Sequence, residues 1–126
     1  MTTILDIQGR VAVQTEANVD IERLRWLLEP SDKDVVHVSE GVLEVTIVDP
    51  AVPFGYLLTV RDALNTFCTR HARVGSVFCF NAGVLVVGPS VDTRRAAYLE
   101  HLQEKLVLIK KELQRVLHEE WKDVPL

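Results

Sequence analysis

The chain has 126 residues, 48% of them apolar and 25% charged, with a net charge of -4 and a pI of about 5.5. That length makes a single domain the default, and that apolar share is too high for a disordered chain. Overall acidity argues against a nucleic-acid partner, because phosphate contacts need a basic footprint.

The basic groups present, at Arg70, His71 and Arg73, at Arg94 and Arg95, and at Lys110 and Lys111, are interspersed with acids and read as solvated surface. Cys68 and Cys79 do not make a disulfide framework, and both are expected as buried free thiols. Met1 to Asp6 has no basic segment leading into an apolar run, so no signal peptide is expected. No apolar stretch approaches the roughly 20 residues of a membrane span. A cytoplasmic protein is the simplest expectation.

In chain order, Thr3 to Gln14 is extended, built on Ile4, Leu5, Ile7, Val11 and Val13. Gly9 interrupts it, either as the turn of a hairpin or as a bulge in one strand. Asn18 or Asp20 caps a helix whose stripe is Ile21, Leu24, Leu27 and Leu28, with Trp26 beside it. Pro30 stops that helix, and Ser31 to Asp34 is a polar turn.

Val35 to Val48 is a hairpin. With Glu40-Gly41 as a two-residue turn, Val38 faces Leu43 and Val36 faces Val45, with Ile47 continuing the row. His37, Ser39, Glu44 and Thr46 take the other side. Alternation and turn chemistry agree on this register. The two prolines of Asp49 to Pro53 mark a connection. Phe54 to about Arg70 is the next helix, with Leu57, Val60, Leu64, Phe67 and Cys68 on its inner face.

Ser76 to Gly88 is a second hairpin, turning at Asn81-Ala82-Gly83. Both its faces are apolar, which suits strands that are central under two layers or covered by a second subunit. Gly-marked turn, strand, cap and helix recur three times, either as a degenerate ββα repeat or as ordinary α+β order.

The last element runs from Val91 to Trp121 without Gly or Pro, capped by Ser90 or Asp92. Leu99, Leu102, Leu106, Ile109, Leu113 and Val116 follow one another at steps of three and four, the spacing of an a/d seam. Some thirty residues span roughly 45 Å. A domain of this size is only about 30–35 Å across. Ala96 to about Ile109 is therefore expected to anchor the sheet, and Leu113 to Trp121 to overhang it.

Motifs that carry chemistry are few. Gly83 to Ser90 has the glycine spacing of a phosphate loop, but Pro89 stands where the lysine belongs and strand formers fill the interior. Ser90, Arg94 and Arg95 form a helix start able to hold an anion. His37 and Glu44 face each other across the first hairpin, as a general base pair would. His71, His101 and His118 have no partners at ligand spacing, and Asp32 and Asp34 are too little for calcium. Cys68 and His71 share a helix at i, i+3, but burial leaves such a thiol inert. No metal or cofactor is expected.

The fold expected is one α+β domain over residues 1–121 with a short tail at 122–126. Its mainly antiparallel sheet is built from hairpins alternating with helices, and the chain ends in a long C-terminal helix. The function expected is non-enzymatic: a homo-oligomeric interaction module of the adaptor, chaperone or inhibitor kind. It would self-associate as a dimer through Leu106, Ile109, Leu113, Val116, Leu117 and Trp121, with a further protein partner open. The alternative is a small-ligand-binding domain or small enzyme. Its pocket would lie at the subunit interface, using His37, Glu44 and the Ser90–Arg95 helix start. Peptide-end recognition through Val124-Pro125-Leu126 is a minor third option.

Overall fold

A computed structural model describes residues 1–28 and 35–119. The element order is β1 (Thr2–Ala12), α1 (Ala17–Leu28), β2 (Val36–Ser39), β3 (Val42–Pro53), α2 (Phe54–His71), β4 (Ser76–Phe80), β5 (Gly83–Val87) and α3 (Val91–His118). The five strands make one antiparallel sheet in the order β2-β3-β1-β4-β5. This is the α+β arrangement expected, ending in the long helix.

The first hairpin has the expected register, with Val36 opposite Val45, His37 opposite Glu44 and Val38 opposite Leu43. Its turn residues Glu40 and Gly41 both take positive φ, 54° and 74°, as a type I′ turn demands. Leu5, Ile7, Val11, Val36, Leu43, Val45 and Phe78 are buried on one face of the sheet. They meet Ile21, Leu24 and Leu28 of α1 and Val60, Leu64, Phe67 and Cys68 of α2 in one core. Trp26, beside the stripe of α1, stays exposed.

Gly9 is neither a turn nor a bulge, since β1 runs straight through it and pairs it with Val45. Its role is space: a Cβ there would lie 2.5 Å from the ring of Phe78 on β4. With no hairpin before α1, the first of the three units is not ββα. Neither Asn18 nor Asp20 caps α1, because the helix already starts at Ala17.

Asp49 to Pro53 is strand, not connection. Thr3 pairs with Val52 and Leu5 with Asp49, so β3 carries one extra residue there. Such a bulge accommodates proline. β2 pairs with Val42 to Val45, and the prolines lie beyond those pairs.

The second hairpin turns on two residues, Asn81 and Ala82, since Phe80 pairs with Gly83. Asn81 takes φ 51° and its Oδ1 accepts from the Asp6 N–H at 2.8 Å. The hairpin is not central: β5 is the sheet's edge. Cys79 is exposed rather than buried, and both thiols are free. The expected turn at Ser31–Asp34 and the tail at 122–126 lie outside the described residues, as does Trp121.

Candidate functional site

α3 is joined to the domain by its first three turns. Ser90 caps it: its Oγ accepts from the Thr93 N–H at 3.2 Å, and Thr93 Oγ1 accepts from the Ser90 N–H at 3.0 Å. The residues partly covered in this helix are Thr93, Arg94, Ala97 and His101. They lie at steps of one to four and share one side. Two glycines let that side approach the sheet. A Cβ on Gly75 would lie 2.2 Å from the Thr93 carbonyl oxygen, and one on Gly88 2.9 Å from Thr93 Oγ1. The docked stretch ends at His101, whose ring stacks on Tyr98 and whose Nε2 is enclosed without a hydrogen-bond partner among the described residues.

The apolar seam is on the other side of the helix. At about 100° per residue, Leu99 and Leu106 point roughly 180° away from Ala97. The seam residues Leu99, Leu102, Leu106, Ile109, Leu113 and Val116 are accordingly 36–63% exposed, and no residue of α3 is buried. Leu117 is exposed too, at 66%, as are Val107 and Leu108. Every residue from Leu102 to His118 is exposed, a projection of roughly 25 Å. The expectation that Ala96 to Ile109 anchors the sheet is thus wrong in extent and in face. Small and polar residues dock the helix, and the overhang begins at Leu102 rather than at Leu113.

The other polar constellation lies between α1 and α2. Asp20 Oδ2 accepts from His71 Nε2 at 2.6 Å and lies 3.4 Å from Arg70 Nη1. His71 is 6% exposed, so it is not part of the solvated surface expected of the Arg70–Arg73 group; its partner Asp20 comes from the preceding helix. The hydrogen bond from His71 is the main influence on the Asp20 carboxyl. Helped by Arg70 and opposed by partial desolvation, it holds the carboxyl below the ordinary aspartate range. A groove of about 490 Å³ runs beside the pair, lined by Leu24, Asp62 and Phe67 among others. A sequence signal for this pair existed. The inner-face spacing Val60, Leu64, Phe67 continues to His71, and a histidine on a core stripe needs a hydrogen-bond partner. Cys68 lies on the same stripe, and burial pushes its thiol up to about 12, so it carries no thiolate near neutral pH.

His37 and Glu44 do face each other, on the β2–β3 edge of the sheet. Ser90, Arg94 and Arg95 follow β5 at the opposite edge, four strand spacings or roughly 19 Å away. One subunit therefore does not unite the two groups. At the helix start, the Ser90 hydroxyl is engaged by Thr93, and Arg94 Nη1 donates to the Gly88 carbonyl at 3.0 Å. Arg95 is exposed. Among the described residues, no group of three or more His, Cys, Asp or Glu is placed to hold a metal ion. No described helix is long and apolar enough to cross a membrane.

No family model matches the chain, and no curated protein or solved structure matches it either.

Proposed function

We propose that the protein is a homo-oligomeric interaction module, of the adaptor, chaperone or inhibitor kind, that self-associates through α3. One observation carries this reading: the Leu/Ile/Val seam of α3 faces away from the side that docks on the sheet. Among the described residues its side chains stay 36–63% exposed.

Two physical arguments support it. A helix of fewer than roughly 12–15 residues is marginal in water, and longer ones in proteins owe most of their stability to packing of an apolar face. The stretch from Leu102 to His118 has the face, and its residues are all exposed among the described residues. Completing the burial of a half-exposed Leu, Ile or Val is worth roughly 1 kcal/mol. Six such side chains on each of two helices contribute on the order of 10 kcal/mol, comparable with the roughly 4–15 kcal/mol that association costs. The seam must then be used along its length.

The test is mass by sedimentation equilibrium on the wild type and on a Leu106→Asp, Ile109→Asp variant. The wild type is expected at a multiple of 14.2 kDa and the variant at 14.2 kDa, with the thermal midpoint of the domain unmoved. A wild type that stays at monomer mass up to millimolar concentration would refute the reading.

A further inference from the structure

We propose that two copies of α3 pair antiparallel, centred between Leu106 and Ile109, and that Lys105 of each helix meets Glu112 of the other. This rests on the self-association above and adds its direction and register. The argument comes from the residues that flank the seam. Taking Leu99, Leu106 and Leu113 as a and Leu102, Ile109 and Val116 as d, the g positions are Tyr98, Lys105, Glu112 and Glu119. The e positions are Gln103, Lys110 and Leu117. These flanks decide orientation in paired helices.

In a parallel, in-register pair, each g residue meets the e residue five positions later on the other helix. Lys105 would then face Lys110 twice, Glu112 would face Leu117, and no opposite charges would meet. In an antiparallel pair, a layers pack on d layers and g faces g. Packing Leu106 on Ile109 also sets Leu99 on Val116 and Leu102 on Leu113, so all six seam residues are used. The same register brings Lys105 to Glu112 at both ends of the two-fold axis and Lys110 to Gln103. Glu112 is already held by Arg115 on its own helix, with Nη2 to Oε1 at 2.5 Å. Arg115 also holds Glu119, so the incoming Lys105 would make a four-residue network. Antiparallel pairing also lays the projecting end of each helix, near Val116, beside the docked start of the other, near Leu99.

Charge reversal distinguishes the two directions by sign. Lys105 and Lys110 have no acidic residue three or four positions away on their own helix, so reversing either breaks no such intrahelical pair. Dissociation constants are measured by sedimentation at low salt. Antiparallel pairing predicts that Lys105→Glu weakens association about tenfold. It also predicts that Lys105→Glu with Glu112→Lys restores association, and that Lys110→Glu, facing Gln103, changes it little. Parallel pairing predicts the opposite: Lys105→Glu and Lys110→Glu each tighten association, because each turns a repulsion into an attraction. Tightening, or no response to Lys105→Glu, overturns the antiparallel arrangement while leaving self-association standing. A monomeric wild type overturns the self-association itself.

Discussion

α2 and α3 are both amphipathic helices that follow a hairpin, and they end in opposite situations. α2 turns its stripe inward, with Val60, Leu64, Phe67, Cys68 and even His71 buried. α3 turns its stripe outward, and among the described residues its partly covered positions are Thr93, Arg94, Ala97 and His101. An apolar stripe identifies a face that will be covered; it does not say by what. What distinguishes the two here is the surface each meets. The large side chains of α2 join a core already lined by Leu5, Ile7 and Val45 of the sheet. α3 meets the sheet beside Gly75 and Gly88, where a Cβ would collide with Thr93.

One substitution type probes the contrast most strongly. Leu64→Ala, at a fully buried position, should cost roughly 2–5 kcal/mol of unfolding free energy in denaturant titration. Leu106→Ala should change the stability of the dilute protein by less than about 0.5 kcal/mol, while weakening its association. Equal costs for both would mean that the seam is covered within the subunit. Gly9→Ala comes next. The new methyl would press on Phe78 and should cost roughly 1–3 kcal/mol, with thermal unfolding as the readout.

A smaller effect belongs to the pair between α1 and α2. The folded-state pKa of Asp20 is depressed, so its contribution is present above the ordinary aspartate value of roughly 3.9 and is lost as pH falls through the lower folded value. Asp20→Asn should flatten that acid limb of the stability profile and leave association through α3 untouched. Smallest of all is a labelling difference. In native protein a thiol reagent should modify Cys79 quickly and Cys68 only after unfolding. Rapid modification of both would show that α2 does not seal the core.

Much of the fold was legible because it depends on neighbours in sequence. The Val36–Val45 register follows from alternation and a tight turn, and the α3 stripe from helical spacing. What escaped depends on residues far apart. Gly9 makes sense only with Phe78 opposite, and the prolines of β3 only with the bulge that pairing with Thr3 and Leu5 creates there. Asp20 makes sense only with His71 across two helices, although the core stripe running to His71 showed that some partner was required. The candidate surface was half legible: the seam residues were identifiable, but not that Thr93, Ala97 and His101 would take the docking side. Small and polar residues carry little hydrophobic signal, and the glycines that receive them lie at Gly75 and Gly88, in a different part of the chain.

We propose that α3 beyond His101 is supported by another copy of the chain. Amide hydrogen exchange followed from micromolar to millimolar concentration tests it directly. Amides of α2 should show the same protection throughout. Amides from Leu102 to His118 should exchange freely in the dilute protein and become protected as concentration rises, with the same midpoint as the change in mass. Protection of that stretch independent of concentration, or its absence at every concentration, would contradict the account.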